Sequence, residues 1–241
     1  MTSAITTAHP ANPTTARPLR DLRGFWRVLL AVIAPLPMLA KGVYYLLVPV
    51  EGGASFEDTF AAFAAHRDLI DVLVWLDAVF VVGLIPATYA VAWVARRGAP
   101  RLTTAGAVIS LVGFFAGIAL LGGAITPSGL AVQHNLDPAA VAALDRAAEG
   151  HPLVSLASLL FIVGVVLGLG LLGAGLWRSG YVPAWAGIAV MAGGITHPFI
   201  PHHVGQGIGL LVAAVGYAGA GVALLRMGND GFDLPPARPA P

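Results

Sequence analysis

The sequence predicts an all-α fold, a polytopic membrane bundle of six transmembrane helices with two short interfacial helices in its outer loops. Three observations carry that expectation. Hydrophobic residues make up 57% of the 241 and charged residues only 10%, far below the about 25% charge of soluble domains, and mean hydropathy is +0.82. Six apolar stretches recur almost end to end, and a bilayer core about 30 Å thick takes roughly 20 residues of helix to cross. Gly, Pro and Arg punctuate the joins between them. One membrane domain is therefore expected over 24–226, with disordered tails at 1–23 and 227–241.

The elements follow in order from local signals. Residues 1–16 are Thr, Ala and Pro without an apolar period, too little apolar surface to offset the entropy of ordering. The first span is expected at 25–49. Its basic start resembles a secretory signal, but the apolar run continues past Lys41 to Val50, and Met38 is too large for a small-x-small cleavage site. It reads as a retained helix. Pro35 and Pro37 each remove an amide donor, which predicts a bend just before Lys41, and Pro86 does the same in the second span. Ser55 and Asp58 form a capping pair, and Phe56, Phe60 and Phe63 then recur on one face, as in a helix at the membrane interface. Asp137-Pro138 starts the second short helix, with Pro at its first position. Both short helices are expected to plug the bundle from outside. The second and third spans fall at 69–95 and 102–126, joined by Arg97-Gly98-Ala99-Pro100. The last three fall at 152–177, 182–200 and 204–226, with Ser179-Gly180-Tyr181-Val182-Pro183 as the turn between the first two.

Arginine sets the expected orientation. With six spans, ten arginines, among them Arg23, Arg27, Arg96, Arg97, Arg178 and Arg226, fall on one side, and only Arg67 and Arg146 on the other. The positive-inside rule then puts both termini in the cytoplasm of a cell membrane. A parallel internal repeat is also visible: Gly122-Gly123-Ala124-Ile125-Thr126-Pro127 matches Gly193-Gly194-Ile195-Thr196-His197-Pro198, each after a helix ending in Trp93 or Trp177. Convergence on common membrane residues is the alternative.

The single lysine, Lys41, falls inside the first apolar stretch. Lys41 and Asp77 each lie about nine residues from the outer ends of adjacent antiparallel spans, roughly 13 Å deep at 1.5 Å per residue. An intramembrane charge faces the bundle interior and finds a partner, so the two are expected to meet. The pair reads either as an ion- or ligand-handling site or as a structural bridge that fixes helix register.

The histidines other than His9 cluster toward the outer side: His66, His134, His151, His197, His202 and His203. His197, His202 and His203 are the candidates for a metal, but their spacing lacks the i, i+4 pair of zinc enzymes and no acid lies among them. No metal site is expected. A haem between His151 and His197 would need two opposed imidazoles. The chain has no cysteine, which excludes disulfides and thiolate ligands. No phosphate-binding loop, nucleophile elbow or basic patch appears, so no cofactor and no nucleic acid partner is expected, and no catalytic residue is assigned. The outer connections carry Glu51, Glu57, Asp58, Asp68, Asp71, Asp137, Asp145 and Glu149, an acidic rim that attracts cations. Gly113 with Gly117, Gly164 with Gly168, and Gly205 with Gly209 are small-xxx-small faces for helix packing, including packing in a homodimer.

The segment Leu176-Trp177-Arg178-Ser179-Gly180-Tyr181-Val182-Pro183-Ala184-Trp185-Ala186-Gly187, followed by the Gly193-Gly194 helix end, resembles a broad group of uncharacterised bacterial six-helix integral membrane proteins. The resemblance implies the bundle and transfers no catalytic residue. Scarce Lys beside abundant Arg, Ala, Gly and Pro matches a GC-rich bacterial genome. The expected function is binding of a small solute or ion, for transport or sensing, in an outward-opening polar cavity near Lys41, Asp77, His197 and Gln206. The alternatives are a non-catalytic scaffold that binds a partner protein and a metal- or haem-dependent enzyme at the outer face.

Overall fold

A computed structural model of the protein describes residues 21–120 and 125–233, and every regular element among them is helical. In chain order these are α1 (Arg23–Ile33), α2 (Leu36–Leu47), α3 (Phe56–Ala65), α4 (Arg67–Ala95), α5 (Pro100–Ile118), α6 (Ile125–His134), α7 (Pro138–Glu149), α8 (Pro152–Val163), α9 (Leu169–Arg178), α10 (Ala184–Phe199), α11 (His203–Arg226) and α12 (Gly228–Phe232). Five helical stretches are long and apolar enough to cross a membrane: Arg23–Leu47, α4, α5, Pro152–Arg178 and α11. Large apolar side chains such as Val82, Phe115, Leu159, Phe199 and Val215 point outward. So much exposed apolar surface belongs against lipid, not water.

Local chemistry explains the breaks. The first stretch divides between α1 and α2 at Ala34 and Pro35, where the prolines withhold amide donors. Pro86 stays inside a continuous α4. Between α8 and α9 the backbone widens into one π-turn, Gly164–Gly168. Leu169 N–H donates to Gly164 O across the turn, and Ser110 Oγ adds a second donor to the same carbonyl at 3.3 Å. The short helices α3 and α7 start on side-chain caps: Ser55 Oγ accepts from Asp58 N–H at 3.0 Å, and Asp137 Oδ1 from Ala139 N–H at 3.1 Å.

The long elements close into a ring in which each packs on the next: α2 on α4, α4 on α5, α5 on α8 and α9, α9 on α10, α10 on α11, and α11 back on α1 and α2. Chain neighbours are thus space neighbours, as short connections dictate. The main core occupies the half that carries both described chain ends. Ala87, Val91 and Val94 of α4, Leu172 and Leu176 of α9, and Leu210, Tyr217 and Leu224 of α11 are all buried there. A second, smaller core lies at the opposite end, where Phe63 of α3 and Val132 of α6 cover Tyr44, Ile70 and Leu73.

The end that carries Arg23 and Asp233 is tied by polar contacts. Arg23 reaches Asp233 at 3.0 Å, Arg27 donates to Leu225 O at 3.0 Å, and Arg97 donates to Asp233 O at 2.9 Å. Arg97 also faces Tyr181, so the α4–α5 and α9–α10 turns lie at this same end. The residues after Arg226, assigned to a tail by composition, here begin with α12, whose Phe232 carbonyl accepts from Trp93 Nε1–H at 2.9 Å.

One element differs from the sequence expectation. The third span ends at Ile118, and Ile125–His134 is a separate helix. Gly122-Gly123 between them is a break signal, but a Gly pair also sits inside the continuous α10 at Gly193-Gly194, so such a pair does not by itself divide a span. Gly122, Gly123 and Ala124, one half of the proposed repeat, lie outside the described residues. On α3, Phe63 is fully buried over the bundle and Phe56 stacks on Phe60.

Candidate functional site

A cavity of about 860 Å³ reaches from α7 to Lys41 and Asp77. Helical spacing assembles its floor. On α2, Lys41, Tyr44 and Tyr45 stand at i, i+3 and i+4, and on the antiparallel α4, Asp77, Phe80 and Val81 repeat the same spacing, so each set shares one face. The two faces meet. Lys41 Nζ donates to Asp77 Oδ1 at 2.5 Å, and it lies 3.8 Å from the centre of the Tyr44 ring, 5.1 Å from Tyr45 and 5.3 Å from Phe80. A carboxylate and three aromatic rings thus enclose the ammonium, and the ring faces supply cation–π attraction where water is excluded.

The partners differ in access. The Lys41 side chain is 11% exposed and that of Asp77 is 24% exposed, so the carboxylate is the member that faces the cavity. Its hydrogen bond among the described residues runs through Oδ1; the second oxygen stays available to a ligand.

The walls come from α8, α10, α11 and α7. Ser155, Ser158 and Phe161 line the α8 side. His197 enters from α10, its Nδ1 3.3 Å from Tyr45 Oη and its ring edge-on to Phe161. His203 enters from the first turn of α11 and lies against Tyr45 with ring centres 5.0 Å apart. Its Nδ1 contacts the Val50 carbonyl at 2.6 Å, so this nitrogen carries the proton. The His203 backbone N–H donates to Glu51 Oε2 at 3.0 Å, an acid at a helix N-terminus. On the outer side, Val141, Leu144, Asp145, Ala148 and Glu149 of α7 form a stripe along the wall. Burial and the adjacent Glu149 carboxylate push the Asp145 carboxyl above its ordinary value.

The π-turn stands between two halves of one helix with different neighbours. Both halves pack on α5, but only α9, below the turn, also packs closely on α10.

Of the residues singled out in the sequence, Lys41, Asp77 and His197 line the cavity and Gln206 does not. The Gln206 amide turns back to donate to Ile200 O at 2.6 Å. His203, read only as a metal candidate, takes the place on α11 that Gln206 was expected to hold. His202 is exposed. His151 caps α8, its Nδ1 accepting from Leu153 N–H at 3.2 Å, and takes no part in the cavity beside His197. Among the described residues no three His, Asp or Glu side chains converge as a metal-binding group. The glycine faces are used within the chain: Gly113 packs on Gly164, Gly168 on Ser110, and Gly209 on Thr196. A homodimer would need another face.

Tyr44, Tyr45, Phe80 and Phe161 were not foreseen as site residues. The signal was present for three of them, since each stands three or four positions after Lys41 or Asp77. Compared with known proteins, the chain matches no protein-family model, no curated protein and no solved structure, so the resemblance of 176–187 to bacterial six-helix membrane proteins rests on those residues alone.

Proposed function

We propose that the protein crosses a bacterial cell membrane six times with both termini in the cytoplasm, and that it binds a small solute or ion in a cavity open to the outside, for transport or sensing. The observation that carries this reading is the 860 Å³ space ending on a buried ion pair. Ligand pockets typically measure about 300–1,000 Å³ and combine apolar walls with a few convergent polar groups. A purely structural pair would need no such space beside it. The sixth crossing is α10. Its 16 residues span about 24 Å, short for a bilayer core, but it packs between α9 and α11 and presents Trp185, Ile188, Ile195 and Phe199 outward. The arginine-rich end, with exposed Trp26, Trp177 and Trp185 beside it, has the composition of a cytoplasmic interface.

The chain lacks native cysteine, so single-cysteine variants test the reading cleanly. Ala54→Cys in the α2–α3 connection and Ser158→Cys on the cavity wall are expected to react with a membrane-impermeant thiol reagent added outside intact cells, and Gly98→Cys only after permeabilisation. Labelling of Gly98→Cys from outside reverses the orientation. An unreactive Ser158→Cys beside a reactive Ala54→Cys would show that the cavity is closed to water.

A further inference from the structure

The cavity's charge and its aromatic walls select among solutes, an argument that rests on the reading of this space as a solute site. Three carboxylates, Asp77, Asp145 and Glu149, face it against one fixed cation, Lys41. The lining is therefore net negative and disfavours anions. Asp145 and Glu149 stand four residues apart on α7, a like-charge spacing that destabilises a helix. Burial and Glu149 already raise the affinity of Asp145 for a proton. A cation between α7 and the floor would relieve both costs. The floor is itself a cation site in use: the carboxylate of Asp77 and the faces of Tyr44, Tyr45 and Phe80 surround one ammonium, that of Lys41. Aromatic faces around a carboxylate are how proteins recognise organic ammonium groups. A bare metal ion fits poorly, because the walls are mainly apolar and aromatic and no metal-binding group of three side chains occurs among the described residues.

We propose that the cavity takes an organic monocation, an amine or quaternary ammonium with an apolar body, which shares the Asp77 carboxylate and the surrounding rings with the Lys41 ammonium. Lys41 is then a tethered stand-in for the ligand, and ligand and side chain compete for one carboxylate.

The probe is benzyltrimethylammonium, with benzenesulfonate as the anion of similar body and benzyl alcohol as the neutral one, titrated calorimetrically into the purified full-length protein in detergent. The cation is expected to bind and the other two to be at least about tenfold weaker. Lys41→Met frees Asp77, so this variant should bind the cation about tenfold or more tightly than the unaltered protein, and the cation should raise its melting temperature. The double variant Asp145→Asn, Glu149→Gln changes only the α7 wall and keeps the pair intact; it should bind the cation about tenfold more weakly. Tighter binding of benzenesulfonate than of the cation overturns the proposal. So does cation binding that neither the Lys41→Met variant nor the α7 double variant alters. If Ser158→Cys is reactive from outside and yet benzyltrimethylammonium fails to bind, the cation assignment falls and the open cavity stands; an unreactive Ser158→Cys removes the cavity reading itself.

Discussion

Lys41→Met and Asp77→Leu, made singly, are each expected to destabilise the folded protein by about 3–5 kcal/mol, and the double variant to recover most of that loss. The reason is an asymmetry in burial. The pair meets at 2.5 Å inside the bundle, where each charge has given up water and kept its partner. Removing one leaves the other unpaired in low dielectric, whereas removing both leaves apolar side chains among Tyr44, Phe80 and Val81. Thermal unfolding of the purified variants in one detergent reads the cycle. Equal, additive losses would show that the residues do not interact, and the cavity floor drawn from their contact would be wrong. The same variants separate the functional readings: if the double variant regains its fold but loses transport or growth, the pair handles a ligand; if every phenotype returns with the fold, the pair only sets helix register and the scaffold reading gains.

The pair could be read from the sequence because depth is arithmetic. Two charges at matched distances from the outer ends of consecutive helices are brought level by the connection between them. Rotation about a helix axis is harder to read. His203 and Gln206 are three residues apart on α11, and either could have faced inward. The choice is made by Val50 and Glu51, whose carbonyl and carboxylate hold His203 from a separate segment. Composition marks Asp145 and Glu149 as outer acids, but their place on the wall opposite Asp77 depends on α7 folding over the bundle, which local sequence does not encode. The break between α5 and α6 lies in a run of small and apolar residues that contains Gly122-Gly123, and the same pair at Gly193-Gly194 leaves α10 continuous. Gly164 and Gly168 signalled close packing, and they do pack closely; the π-turn that the same five residues form packs on both α5 and α10, and local sequence does not mark it.

Gly113→Ala tests that fit and is expected to destabilise the protein by about 1–3 kcal/mol, the usual cost of an extra methyl in a filled contact. A Cβ on Gly113 would stand 2.5 Å from Leu160 O and 2.7 Å from Gly164 Cα. Both are backbone atoms of the helix that carries the π-turn, so α5 and α8 must separate to admit it. Helix propensity pulls the other way, since Ala is better than Gly by about 1 kcal/mol, and the sign of the result shows which effect wins. Gly170→Ala is the matched control. It lies on α9, two residues past the π-turn, with nothing within 4 Å of its would-be Cβ, so it should melt at or above the temperature of the unaltered protein. Because the contact at Gly113 also sets how closely α8, which carries Ser158, approaches α5, Gly113→Ala should change the reactivity of a cysteine at Ser158 while Gly170→Ala leaves it alone. Two variants that melt alike and label alike would mean that α5 and α8 do not approach to backbone contact.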